Sequence, residues 1–318
     1  MFSSARQKLI RDCISTAFPD ATIASAQLLT GGLINTNIKI EFSSHRAPVV
    51  LRLYQGDAAV CLKECAILDL VHATIPVPAV IHVEPYGIDN SGPFCILEFV
   101  NGKTFQQLKR TNDLPAINQA AACVGEILAR IGRYQFSKPG RLENDLTVGD
   151  PYVEGADVVP RLLDLFLQSE HLQRRLDSSF QRKLHDLIWS WATQLQTLDR
   201  DHALVHSDFG NRNILVDCVN GRWQVAAVLD WEFAFSGPPL LDVGHFLRYE
   251  SRDTPLREPH FSRAYVESGG SLPDDWRRLA QVVDLTGLVE CLTRERLPED
   301  VTSEILQLIT ATLEHCRL

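Results

Sequence analysis

The sequence predicts an α+β chain built as two lobes, one rich in strands and one mainly helical. Two observations carry this. The first hundred residues alternate apolar and polar positions in short runs, with a single helical stretch among them. From about residue 104 onward, 3.6-residue apolar spacing dominates, interrupted by one strand-turn-strand segment between residues 214 and 229. Asn101-Gly102 marks the joint, giving a lobe over residues 1–100 and a second over 101–318.

Residues 5–17 read as a short helix and Ala26 to Leu29 as a strand. Gly31-Gly32 turns the chain, and Thr36 to Phe42 alternates, with Ile38, Ile40 and Phe42 on one face. Val49 to Leu53 is a third strand. A helix runs from Asp57 or Ala58 to Val71 and stops before Pro76 and Pro78. Val80 to Glu84 and Phe94 to Phe99 complete the first lobe. In the second, helices are expected over 116–131, 158–175, 178–198, 240–250, 259–268, 274–295 and 300–316. Pro139-Gly140 and Gly149-Asp150-Pro151 mark a long loop. There is no internal repeat.

The most informative stretch runs from Leu204 to Glu232. Ile214 to Val216 and Val225 to Leu229 are strand-like, and Asn220-Gly221 between them is a hairpin-turn signal. A hairpin centred there brings Asn213 and Asp230 within a couple of residues of one another at its open end. Asp208 lies in the loop leading in. Oxygen ligands at one point and a separate carboxylate nearby suit a hard divalent cation and a hydroxyl. An isolated His-x-Asp is more often a loop turn with a satisfied histidine, so His206-Ser207-Asp208 gains weight only with Asn213, the Asn-Gly turn and Asp230 in register.

The spacing His206-x-Asp208-x4-Asn213, followed by Asp230-Trp231-Glu232 after a hairpin, resembles the catalytic core of protein kinases. It is closer to the aminoglycoside phosphotransferase and choline kinase group, and Gly237-Pro238-Pro239-Leu240-Leu241-Asp242 is similar to a segment that follows in that group. The resemblance implies a protein-kinase-like fold with an antiparallel N-terminal sheet that binds nucleotide. It implies a helical C-terminal lobe that carries the catalytic loop, the metal site and the acceptor pocket. It implies that Asp208 orients or deprotonates an acceptor hydroxyl and that Asn213 and Asp230 bind Mg²⁺ on the nucleotide phosphates. His206 and Asp242 would brace the loop. The donor would be ATP, with GTP as the other candidate.

On the nucleotide side, Leu29 to Asn37 holds Gly31, Gly32 and Asn35 between two strands, and glycine there lets backbone N–H groups approach phosphate oxygens. A plain hairpin turn explains the glycines equally well. Arg52 is a lone cation in an apolar strand, and Glu64 a carboxylate on a largely apolar helix face, costly unless paired. By resemblance they form the strand-to-helix ion pair of kinases, with arginine's fork in place of the usual lysine. Likewise, backbone groups from Glu98 to Val100 would read the adenine edge.

No Ala-Pro-Glu follows Asp230-Trp231-Glu232, and Asp242 comes too soon for a long activation loop. That favours a compact acceptor over a peptide: an aminoglycoside, an amino alcohol or a sugar-like molecule. Glu232, Asp284 and Glu290 are candidates to meet a cationic acceptor. Trp189, Trp191 and Trp276 read as packing residues. A kinase-like binding or scaffold protein without catalysis is the alternative, and a metal-dependent hydrolase on His206, Asp208, Asp230 and His245 lacks a second metal motif.

Of the 318 residues, 45% are hydrophobic and 22% charged, as in ordinary globular chains. Net charge is −9 with no dense basic run, which argues against nucleic acid. No apolar run is long enough for a membrane span and the first residues lack a signal-peptide core. Eight cysteines show no Cys-x-x-Cys or zinc-like spacing, so the cytoplasm is expected, and Cys61 and Cys65 read as small core residues. Acceptor identity and oligomeric state stay open.

Overall fold

A computed structural model describes residues 3–29, 35–88, 91–251 and 253–316. The chain divides into two compact units: residues 1–113 with 142–147 and 211–232, and residues 114–141 with 148–210 and 233–318.

The first unit opens with helix α1 (Ser4–Ala17), capped by the Ser3 hydroxyl, which accepts from Arg6 N. Strands β1 (Ile23–Leu29), β2 (Thr36–Phe42) and β3 (Val49–Leu53) follow, then α2 (Ala58–Val71), β4 (Val80–Glu84) and β5 (Phe94–Glu98). The five strands form one antiparallel sheet in the order β1-β2-β3-β5-β4. Asp57 caps α2 by accepting from Ala59 N and Val60 N, the start expected from its position before an apolar run. The period-2 pattern is kept: Ile38 and Ile40 are fully buried and Phe42 nearly so, packed with Ile10 and Ile14 of α1 and Leu51, Phe94 and Ile96 of the sheet. Burying such a side chain stabilises the unit by roughly 1.5–3 kcal/mol. Cys61 and Cys65 are buried in α2 as small core residues.

The same unit contains a short strand β6 (Lys103–Thr104), helix α3 (Phe105–Lys109) and, beyond an excursion of the chain, a hairpin. Two segments of the second unit precede that hairpin in sequence: helices α4 (Leu114–Ile131), α5 (Val158–Leu167), α6 (Glu170–Arg175), α7 (Ser178–Ser190) and α8 (Ala192–Leu195), and the short strands β7 (Gly140–Arg141) and β8 (Ala203–Val205). The expected helix 158–175 breaks at Gln168-Ser169, and the expected helix 178–198 breaks at Trp191. Trp191 is buried and its indole N–H donates to Cys316 O at 2.8 Å, so a tertiary contact ends that helix.

The hairpin consists of β9 (Ile214–Val219) and β10 (Arg222–Val228), extended by β6 into a three-stranded sheet. Its turn is Asn220-Gly221, with φ of 52° and 77°, the doubly left-handed turn that matches strand twist. The second unit then adds β11 (Phe235–Gly237), paired to β7 and β8, and helices α9 (Leu240–Leu247), α10 (His260–Glu267), α11 (Trp276–Leu292) and α12 (Glu299–His315). Gly244 allows α9 to press on α11, since a Cβ there would lie 2.4 Å from Ala280 O. A row of aromatic rings, Phe209, Phe246, Phe261 and Tyr265, fixes the loop after β8 to α9 and α10. Among the described residues no helix is long and apolar enough to cross a membrane.

Candidate active site

In the first unit the chemistry gathers around Arg52. Its place on β3 opposite Asn37 and Cys95 buries the guanidinium almost completely. Nε lies 3.0 Å from Glu64 Oε2, and the terminal nitrogen donates to Asp230 Oδ1 and sits 3.8 Å from Glu232 Oε1. Glu64 also accepts from the Tyr54 hydroxyl at 2.7 Å and from Trp231 N at 3.0 Å. Burial pushes the Glu64 carboxyl up, opposed by Arg52 and by these two donors. The acids hold the Arg52 charge firmly despite its burial. A buried cation with three acids in reach is a costly assembly, kept only where each member has partners.

The hairpin sets the remaining members. Val228 pairs with Ile214, and Leu229 N donates to Asn213 O at 2.8 Å, so Asn213 and Asp230 meet at its open end. Asp230 takes a left-handed backbone (φ 71°), which turns its side chain out of the strand direction. Glu232 is buried; its Oε2 accepts from Asn35 Nδ2 at 2.8 Å, and Asn35 Oδ1 accepts from Gln55 N. Burial and the neighbouring Asp230 carboxylate push Glu232 up to about 7, so the acids outnumber the positive charge that holds them. Among the described residues, no three His, Cys, Asp or Glu side chains form a closed metal cage. Asn213, brought next to Asp230 by the backbone pairing, together with acid charge in excess, makes a partial set of hard donors. It suits a cation that keeps waters and takes further oxygens from a phosphate.

In the second unit the loop after β8 is held by Asp242, at the start of α9. This fully buried carboxylate accepts from His206 N at 2.7 Å and Ser207 N at 2.9 Å. Burial pushes Asp242 up to about 7 against the pull of these two backbone donors. Ser207 is left-handed (φ 69°), and Asp208 N donates to His206 Nδ1 at 3.2 Å. The Asp208 side chain emerges half-exposed, with Oδ1 3.2 Å from His245 Nε2. A carboxylate on a loop whose backbone is tied at both preceding residues is placed to take a proton without having to be ordered first.

Of the residues singled out from the sequence, Asn35, Arg52, Glu64, Asn213 and Asp230 gather in the first unit, and Asp208 stands in the second. Gly31 and Gly32 lie outside the described residues. Glu98 ends β5 exposed, its N–H donating to Ala79 O and its side chain accepting from Ala79 N, and Val100 follows half-buried. Asp284 and Glu290 are already engaged: Arg248 grips Asp284 with two bonds of 2.7 Å, and Arg294 holds Glu290 at 3.0 Å. Trp189 donates to Asp164, and Trp276 stacks on Arg277. Sequence reasoning missed Tyr54 and the Trp231 backbone, and it weighed His245 only as a ligand in the hydrolase alternative, not as a neighbour of Asp208. Tyr54 was within reach, lying two residues past Arg52; the Trp231 N–H carries no sequence signal.

With this geometry stand the comparisons. The model of the phosphotransferase enzyme family matches residues 25–282. Hygromycin-B 4-O-kinase of Escherichia coli is 27% identical over 204 residues, 63% of this chain. That match spans 56% of the relative's own length. Among solved structures, a thermostable mutant of aminoglycoside phosphotransferase APH(4)-Ia in ternary complex with ADP and hygromycin B superposes with a TM-score of 0.72 at 20% identity, covering 96% of this chain and 98% of that one. The GDP and kanamycin complex of APH(2")-IIia gives 0.71 at 20% identity, over 95% and 97%. At such identity the likeness is one of fold.

Proposed function

Because the chain belongs to the phosphotransferase enzyme family, a family of small-molecule kinases, we propose that it moves the γ-phosphoryl group of ATP to a hydroxyl of an aminoglycoside, amino alcohol or sugar-like acceptor. The observation that supports this best is the meeting of Asn213 and Asp230 at the hairpin end, in the same unit as the buried Arg52–Glu64 pair. Solved neighbours holding ADP or GDP support a nucleotide as the donor.

In this reading Asn213 and Asp230 present oxygens to a magnesium ion on the nucleotide phosphates. The ion would neutralise charge on the phosphate oxygens when bound. Arg52, fixed by Glu64, offers its fork to the phosphate chain, and the Gly31-Gly32 sequence ahead of Asn35 suits backbone N–H groups that approach phosphate oxygens. Backbone groups from Glu98 to Val100 receive the base. The acceptor oxygen attacks the γ-phosphorus, the bond to the bridging oxygen of ADP breaks, and the acceptor proton passes to Asp208. Because the transition state is loose, that proton moves late and Asp208 needs no raised basicity. The chain's share of catalysis is positioning and charge balance.

Hygromycin B and kanamycin, held by the neighbours, mark the acceptor class to try first. Asp284 and Glu290 each carry an arginine partner, so a polycation meets less unbalanced acid here than the residue types alone suggest. The absence of a disulfide among the eight cysteines fits a reducing cytoplasm. The test is phosphate transfer from ATP, with and without Mg²⁺, across aminoglycosides, amino alcohols and sugars. Magnesium-dependent transfer to at least one hydroxyl compound is expected; transfer to none, with no Mg²⁺-ATP binding, would overturn the proposal.

A further inference from the structure

His245 lies one helical turn beyond Asp242, so both face the loop that carries Asp208. Asp242 takes that loop's backbone N–H groups, and His245 meets the Asp208 side chain itself, Nε2 to Oδ1 at 3.2 Å. The other ring nitrogen, Nδ1, lies 3.4 Å from the Arg248 guanidinium. A guanidinium has only donors, so Nδ1 is the acceptor and the ring proton sits on Nε2. Arg248 is nearly buried and locked by two bonds of 2.7 Å to Asp284, on the neighbouring helix. Gly244 is what lets α9 and α11 come close enough for that pair.

We infer that His245 is a positioning residue for Asp208: a neutral imidazole whose Nε2–H donates to the carboxylate, with its tautomer imposed by Arg248 and Asp284. This rests on the proposed role of Asp208 as acceptor of the substrate proton. The charged and titratable groups around the ring are Asp208 and His206 from the loop, Arg248 on its own helix, and Asp284 behind Arg248. Burial and the Arg248 charge both hold His245 well below its usual range, so the ring that faces Asp208 Oδ1 at 3.2 Å is neutral and offers its Nε2–H as a donor rather than a charge. Such a bond holds one carboxylate rotamer without cancelling the charge that must receive a proton. The chain Asp284–Arg248–His245–Asp208 therefore ties a half-exposed catalytic side chain to a helix packed in the interior of its unit.

The test compares His245→Leu, His245→Gln and Asp208→Asn with the unaltered enzyme, using Mg²⁺-ATP and the best acceptor from the screen. His245→Leu removes the donor, and kcat is expected to fall about tenfold to a hundredfold, the size of loss that misplacing a reacting group produces. KM for ATP should stay within twofold. His245→Gln places an amide N–H near the Nε2 position and is expected to recover most of that loss. Equal impairment of the two variants, or a KM change that accounts for the loss, would assign His245 a packing role and overturn the inference. If His245→Leu does not fold, His245→Gln decides alone: kcat within threefold of the unaltered enzyme is expected, and a hundredfold loss contradicts. Asp208→Asn separates the levels. If it keeps turnover, the proposed role of Asp208 fails and this inference with it. If it abolishes turnover while His245→Leu is unaffected, only this inference fails.

Discussion

Arg52 decides the energetics of the first unit. A cation with 5% of its surface exposed is tolerated because Glu64, Asp230 and Glu232 surround it. Replacing it with leucine leaves three acids without their counter-charge, and loss of one partner of a buried pair costs about 3–5 kcal/mol. Arg52→Leu is expected to lower the unfolding free energy measured in urea by an amount in that range and to weaken Mg²⁺-nucleotide binding; unchanged stability would contradict the account of the pair. The pairing was legible because each charge interrupts an apolar pattern, a conflict that only a partner resolves. The further donors on Glu64, from Tyr54 and Trp231, were not, since one of them is a backbone group 167 residues away. Asp242 gives a pH signature. A carboxyl raised to about 7 when folded, against its ordinary range when unfolded, binds its proton more tightly in the native state. The stability it contributes is present in acid and is lost as pH rises toward and through 7. The unfolding temperature should fall by a few degrees between pH 5 and pH 8, and Asp242→Asn should flatten that slope; an identical slope in the variant would refute the assignment.

Among the elements, the hairpin was the easiest to foresee. Asn220-Gly221 fixes a two-residue turn, and a two-residue turn fixes register, which places Asn213 beside Asp230. The strands proved longer than the apolar runs suggested, because Asp217 to Val219 and Arg222 to Gln224 are mostly exposed and carry no apolar signal. Short pairings such as β11 with β7 and β8 were invisible, since two- and three-residue strands exist only through their partners. Helix breaks at Gln168-Ser169 and Trp191 escaped for the same reason: apolar spacing continues across them. The α9–α11 contact likewise depends on Gly244, whose need for space is set by Ala280, far away in sequence. Gly244→Ala would place a methyl 2.4 Å from a backbone oxygen, and overpacking of this kind costs about 1–3 kcal/mol. Chemical denaturation is expected to show that loss together with reduced kcat, because His245 and Arg248 move with the helix. Full stability would mean α9 is free to shift.

At the scale of the whole molecule, the residues proposed for the chemistry are distributed over both compact units. The first holds oxygen donors and the buried arginine. The second holds Asp208 on a loop tied down by Asp242 and faced by His245. Only five positions of chain separate Asp208 from Asn213, so one short segment serves both. That economy made the proposed base and metal residues readable from their spacing and its resemblance to kinases, whereas no comparable spacing marks residues for the acceptor. The central claim is that Asp208 receives the acceptor proton while Asn213 and Asp230 serve the magnesium nucleotide. The most direct measurement is turnover and Mg²⁺-ATP affinity of Asp208→Asn beside the unaltered enzyme. Transfer should drop by about 10²–10⁴-fold with nucleotide affinity kept within a few fold, as for loss of a general base. Transfer at close to the normal rate would contradict it.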